Sequence, residues 1–264
     1  MSFTKTFTIT FGDVAENHKG MQKIGDLAKE GFNLEDLHVA KTWFEQRKCN
    51  CTIISLHELL PKEQQNSCNN AWVLIVKSAV NALLEDNNGI ESLFFEQDTL
   101  EKDTKAFMYG RVVNKHARHN LCFGEKSQQP NYEEGKGRVY AFNELNNLNK
   151  IRTQLGEIIG EKALNLQAEG NYYFDITKCG IGYHGDTERK KVIAIRLGAI
   201  MPLHFRWYHD NKIISDTIKI TNLEHGDLYI MSEKSTGYDW KSKSKYTLRH
   251  SAGCKKYTEP VSKT

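Results

Sequence analysis

No apolar run in this chain approaches the roughly 18 residues that cross a bilayer, and the opening MSFTKTFTITFGD has no core of signal-peptide length. A membrane span and a secretory leader are therefore not expected. Paired cysteines are also missing. The six cysteines (Cys49, Cys51, Cys68, Cys122, Cys179 and Cys254) contain no Cys-x-x-Cys pair. Cys49-Asn-Cys51 is too isolated for a zinc site, so zinc ribbons and disulfide scaffolds are excluded. Reduced thiols in an intracellular compartment, cytoplasm or nucleus, are the expectation, with Cys122 and Cys179 read as packing residues. Internal repeats and low-complexity tracts are absent, which excludes solenoids and disordered tails. Charge of one sign is scarce as well: 36 basic against 33 acidic residues leave +3. That balance is compatible with a nucleic-acid partner without requiring one.

What is present is an ordinary globular composition, 39% apolar and 26% charged over 264 residues, enough for a sizeable core. TFTITFGD (6–13) alternates like a strand, and polar helix-like stretches follow from about Asn17 to Gln46. CTIISLHELL (51–60) reads as a strand running into a helix. His57 and Glu58 open an H-E pair there, but the second histidine of H-E-x-x-H is missing, so a zinc-protease reading fails. AWVLIVKSAVNALLE gives a buried strand and a helix, and the acidic run EQDTLEKDTK (96–105) is the best candidate for a domain boundary. Beyond it, Leu145, Leu148, Ile151, Leu155 and Ile158 fall on one helical face. From Asn171 onward, short strands separated by turns (NYYFDI, KVIAIRLG, PLHFRWYHD, KIISDTIKIT, GDLYIMSE, KYTLRHSA) argue for an antiparallel sandwich or barrel.

The chemistry concentrates in CGIGYHGDTERKKVIAIRLG (179–198). His184 and Asp186, at i and i+2, point to one side of an extended strand and can reach one ion. A facial metal triad needs such a pair plus a third ligand from a distant strand, leaving positions open for a co-substrate and O2.

Asn171-Tyr172-Tyr173 followed by CGIGYHGDTER resembles the N-x-Y … I-G-x-H-x-D-x-E-R signature of AlkB-type 2-oxoglutarate- and Fe(II)-dependent oxygenases, and HGDLYIMSEKSTGYDWKSKSKYTLRHSAG (225–253) resembles that family's later strands. The resemblance implies an α+β fold: a double-stranded β-helix (jelly-roll, cupin-like) core over residues 101–264 with flanking helices. Residues 1–100 then form an N-terminal α/β extension, either independent or layered onto the barrel. It implies Fe(II) as cofactor, 2-oxoglutarate as co-substrate, and His184 and Asp186 as iron ligands. The place of the third ligand reads Gly237-Tyr238-Asp239-Trp240, so Asp239 stands where a histidine is expected, with His250 as the rival. His250 neighbours Arg249, and adjacent strand residues face opposite ways; if Arg249 faces the pocket, His250 does not, and Asp239 is preferred. A His-Asp-Asp set tilts affinity toward Mn2+ or Mg2+.

Arg249 is implied as the clamp for the distal carboxylate of 2-oxoglutarate, with Ser251 beside it and Asn171 and Tyr173 completing the co-substrate contacts. Lys243/Lys245/Thr247/Arg249 and Arg249/Ser251/Gly253/Lys255 are two registers for that strand. Glu188 and Arg189 resemble the family's acid–arginine pair, which implies Glu188 as a substrate contact; a surface salt bridge is the alternative. KHARHNLCF resembles a nucleotide-recognition lid: Lys115, Arg118 and His119 for phosphates or base edges and Phe123 for stacking, with Tyr109, Trp207 and Trp240 as further stacking candidates. The implied function is oxidation of a modified base in DNA or RNA. An oxygenase for a protein side chain or small molecule, and a non-catalytic nucleic-acid-binding relative, are the alternatives.

Overall fold

The computed structural model describes residues 3–259. Strand β1 (Thr6–Gly12) is followed by a small hairpin, β2 (Val14–Glu16) and β3 (Lys23–Gly25), then by helix α1 (Leu34–Gln46), β4 (Cys51–Ser55), α2 (Lys62–Gln65), β5 (Trp72–Val76), α3 (Ala79–Leu84) and α4 (Gly89–Thr99). The hairpin β6 (Lys105–Met108) and β7 (Arg111–Asn114) leads to β8 (His119–Gly124), β9 (Val139–Ala141) and α5 (Asn146–Ile159). The remainder is β10 (Gln167–Tyr173), β11 (Gly180–His184), β12 (Val192–Gly198), β13 (Leu203–His209), β14 (Lys212–Ile213), β15 (Ile218–Ile220), β16 (Leu228–Met231), β17 (Thr247–Gly253) and α6 (Lys255–Thr258).

The strands form an eight-stranded sheet, in the order β4-β5-β16-β12-β1-β10-β8-β9, and a five-stranded sheet of β11-β17-β13-β14 with β15 beside β13. The fold is mixed α+β, and two curled sheets of this kind are compatible with a β-sandwich or jelly roll. Among the described residues, no helix is long and apolar enough to cross a membrane.

Strand periodicity explains the layering. In β1, Phe7, Ile9 and Phe11 point to one face, where Ile193, Ile195 and Leu197 of β12 and Leu121 and Phe123 of β8 join them under the helices. Helix α5 turns Leu148, Ile151, Leu155 and Ile158 onto that layer, the face its sequence spacing marks. Each large side chain so buried contributes about 1.5–3 kcal/mol. The other face of the same strands carries Thr6, Thr8 and Thr10, Arg196, Asn120, Glu169 and Asn171, all buried and polar. It looks across to the smaller sheet, and apolar residues such as Val73, Val192, Phe205, Trp207 and Leu248 close the rest of that gap.

The boundary expected near residue 100 does not divide the structure. Strand β1 is hydrogen-bonded between β10 and β12, and β5 is paired with β16. The N-terminal third is thus part of the main sheet and its core. The acidic run expected as a connector is the end of α4 and the entry to β6. The polar segment from Asn17 contributes the second strand of a hairpin, β3, before its one helix, α1, begins at Leu34.

Candidate metal centre

His184 ends β11 and Asp186 follows one residue later, held by its backbone N–H donating to the Thr236 carbonyl at 3.0 Å. The residue between them has to be glycine. A Cβ on Gly185 would lie 2.0 Å from the Gly237 carbonyl oxygen and 2.7 Å from Trp240, so the turn and the loop after β16 touch backbone to backbone.

The third group comes from β17, which pairs with β11 in a register that sets His250 opposite His184. Candidate ligand atoms of His184, Asp186 and His250 all lie within 4.8 Å of one another. Asp186 Oδ1 is 3.6 Å from His184 Nε2 and 3.7 Å from His250 Nε2. Two donors bonded to one ion at about 2.1 Å stand roughly 3.0–3.4 Å apart, so these two carboxylate–imidazole separations need to contract by only a few tenths of an ångström. His184 Nδ1 lies 2.8 Å from the Gly182 carbonyl, which can only accept. Nδ1 therefore carries a proton and donates, which leaves Nε2 as the atom able to ligate at the centre. Burial, reinforced by the charges of His184 and Arg189, pushes His250 well below the usual histidine range. It is thus a neutral imidazole, the form that ligates. This buried His-Asp-His group has the donor set of a metal site with open positions.

Around it lies a compact charge cluster. Arg189, almost fully buried, donates from Nη2 to Glu169 at 2.6 Å and to Glu188 at 3.0 Å, and its Nε is 3.8 Å from Asp186 Oδ2. Burial pushes Asp186 up, opposed by Arg189 and His184; burial and then Asp186 push Glu188 up. Burial alone would raise Glu169 too, but Arg189's charge and hydrogen bond outweigh it and hold it low. With all three acids ionised the cluster carries two negative charges, which one divalent cation would neutralise.

The triad opens into a cavity of about 340 Å³ between the sheets. Asn171, Tyr173, Arg118 and Glu188 line it, where the motif reading brings them. Asn171 Oδ1 accepts from Arg118 Nε at 2.6 Å and from Asn120 Nδ2 at 2.8 Å, while its own Nδ2 donates to Glu169.

The structure departs from the motif reading at four residues. Asp239 is not with the triad: its Oδ2 accepts from Lys234 Nζ at 2.7 Å, an ion pair that holds it in the loop after β16. Arg249 does not line the cavity. Strand alternation does separate it from His250, but with the faces exchanged: His250 points in, and Arg249 points out to stack on Tyr208, 4.1 Å away, and donate to Asn211. Ser251 shares that outer face and is fully buried, with its Oγ unpartnered. Phe123 is fully buried in the helix-side core against Phe142, unavailable for stacking.

Of the remaining aromatics, Trp207 is core, donating Nε1–H to the Leu56 carbonyl; Trp240 lines the cavity; Tyr109 stands 88% exposed at the β6–β7 tip. All six cysteines are free.

No family model matches the chain. A protein of Acanthamoeba polyphaga mimivirus described as "Uncharacterized protein R156" is 45% identical over 255 residues, covering 97% of this chain and 98% of the viral protein. The chain belongs to that protein's family. The match to this mimivirus relative runs through the N-terminal third as well as the half that holds the His-Asp-His group, in keeping with a sheet that draws strands from both.

Two groups in the site have no motif to announce them. Arg196 is one, fully buried in the cavity wall; the only signal is an arginine inside the otherwise apolar strand VIAIRLG, where a charge is out of place without a partner. Glu169 is the other, legible only once Arg189 is seen to need an anion.

Proposed function

We propose that this protein is a 2-oxoglutarate- and Fe(II)-dependent oxygenase, with His184, Asp186 and His250 as the facial iron ligands. The observation that carries the reading is the convergence of two imidazoles and one carboxylate, from strands distant in sequence, on the wall of one cavity. This set is closer to the usual oxygenase triad than the His-Asp-Asp alternative and favours iron. A ferrous ion held there supplies, with O2 and 2-oxoglutarate, the oxidising power to hydroxylate a C–H bond, releasing succinate and CO2; an N-methyl group so hydroxylated departs as formaldehyde.

The chain's own groups do the positioning. Gly182 fixes the His184 tautomer, the Thr236 carbonyl and Gly185 fix the Asp186 turn, and Arg189 keeps three carboxylates together. Ile181, Leu203, Val192 and Met231 form the apolar side of the cavity and keep water from the reacting face. Arg118 is braced by Asn171 at the wall, and Lys19 joins the lining. Those cations, with the exposed Tyr109 and Arg111 on the β6–β7 hairpin, support a modified base in DNA or RNA as the substrate.

Succinate release from 2-oxoglutarate with Fe(II) tests the chemistry: wild type turns over, and His184→Ala and His250→Ala fall at least 100-fold. Absence of turnover in wild type with Fe(II) would remove the enzymatic reading. Binding of short methylated oligonucleotides that weakens with salt and with Arg118→Ala tests the substrate class; salt-independent binding counts against nucleic acid.

A further inference from the structure

Arg196 is fully buried, yet among the described residues only one of its three nitrogens has a partner: Nη1 donates to Thr8 Oγ1 at 2.7 Å, while Nε and Nη2 have none. A guanidinium is always charged, and leaving it dry and half-paired costs several kcal/mol. The two orphan nitrogens are the adjacent N–H pair that grips a carboxylate in two parallel hydrogen bonds. They belong to a residue that lines the same cavity as the triad.

The wall around Arg196 is built to match. Pairing sets Arg196 opposite Thr8, Thr8 opposite Asn171, and Asn171 opposite Asn120, so one polar row crosses four adjacent strands on the cavity face. The phenols of Tyr173 and Tyr229 are near enough to feel the Arg196 charge. Among the described residues no carboxylate pairs with it: Glu169 and Glu188 are taken by Arg189. Meanwhile the arginine on β17 that the motif points to, Arg249, faces away.

We infer that Arg196 of β12, held by Thr8, is the anchor for the distal carboxylate of a 2-oxo dicarboxylic acid, and that Arg249 has no part in binding it. This rests on the oxygenase reading above for the identity of the acid as 2-oxoglutarate. The bare requirement, one carboxylate on Arg196, stands without it. Thr8 is a positioning residue: it takes Nη1 and so fixes the plane of the guanidinium, leaving Nε and Nη2 free for the carboxylate.

The test is calorimetric titration of 2-oxoglutarate into the full chain loaded with Mn(II), with Mn(II) affinity measured separately on each variant. Wild type binds. Arg196→Gln weakens 2-oxoglutarate at least 30-fold and Arg249→Gln changes it less than threefold, with Mn(II) affinity in both within threefold of wild type. Thr8→Val weakens 2-oxoglutarate by severalfold. Arg196→Lys, which keeps the charge but offers one prong, folds if the glutamine variant does not and binds roughly tenfold more weakly. Glutarate, which lacks the keto group, is titrated into metal-free protein in parallel. If Mn(II) fails to bind, the oxygenase reading falls while loss of glutarate binding in Arg196→Gln or Arg196→Lys still supports the anchor. Wild-type affinity in the Arg196 variants, or loss in Arg249→Gln, overturns the proposal.

Discussion

At the scale of single residues, the site is decided by which way one strand faces. In TLRHSAG, placing Arg249 inward makes His250 an outer residue and promotes Asp239; the structure takes the opposite phase, and three assignments change together. The alternation itself is legible in the sequence. Its phase is not, because β17 has an apolar or small residue on both faces (Leu248 and Ala252 inside, Gly253 outside) and a buried cation on one of them. Two predictions belong at this scale. Arg189→Met leaves Glu169, Asp186 and Glu188 buried without their counter-charge and should cost about 3–5 kcal/mol in urea unfolding; a cost below about 1 kcal/mol contradicts the cluster. Lys115, bonded to Asn17 beside the cavity, is pushed down by burial to about 7. Below pH 7 the folded chain must bury its charge. Between pH 7 and the ordinary lysine range the unfolded chain binds more protons than the folded one, so this penalty shrinks as pH rises. The melting-temperature advantage of Lys115→Met over wild type should therefore be largest at pH 6–7 and narrow toward pH 10. A constant gap would show that Lys115 is not desolvated.

At the scale of elements, strand existence is easier to read than strand partners. TFTITF, VIAIRLG and HFRWYH are strands as their alternation, β-branched content and aromatic content, respectively, suggest, and the amphipathic spacing over residues 145–158 is the helix α5. What alternation cannot say is that the first strand of the chain inserts between β10 and β12, because that choice depends on long-range pairing rather than on local pattern. The H-G-D turn shows the same limit. His184 and Asp186 are visible as a pair, whereas the reason for Gly185 is the backbone of residue 237, more than fifty positions away. Gly185→Ala should force that contact apart, cost about 1–3 kcal/mol or more, and reduce divalent-metal affinity at least tenfold. Retained stability and metal affinity would mean the turn and loop are not held together as described.

At the scale of the whole molecule, one eight-stranded sheet carries helices on one face and, on the other, the cavity that a second sheet closes. Residues 101–264 lack β1, β4 and β5, which supply the centre and one end of the larger sheet. Expressed alone, they should show no cooperative thermal transition, whereas the full chain should show one; a stable, cooperatively melting 101–264 fragment would restore an independent N-terminal domain. The cavity exists because its two walls come from different sheets: β11 and β17 bring the triad, and β12, β1, β10 and β8 bring the polar row.

The most direct measurement is Fe(II) binding under anaerobic conditions, read by calorimetry and X-ray absorption on wild type, His250→Ala and Asp239→Ala. The account predicts one ion per chain with two nitrogen ligands from histidine, loss of at least 100-fold in affinity with His250→Ala, and wild-type affinity with Asp239→Ala. Tight binding that survives His250→Ala, or that Asp239→Ala abolishes, would contradict it.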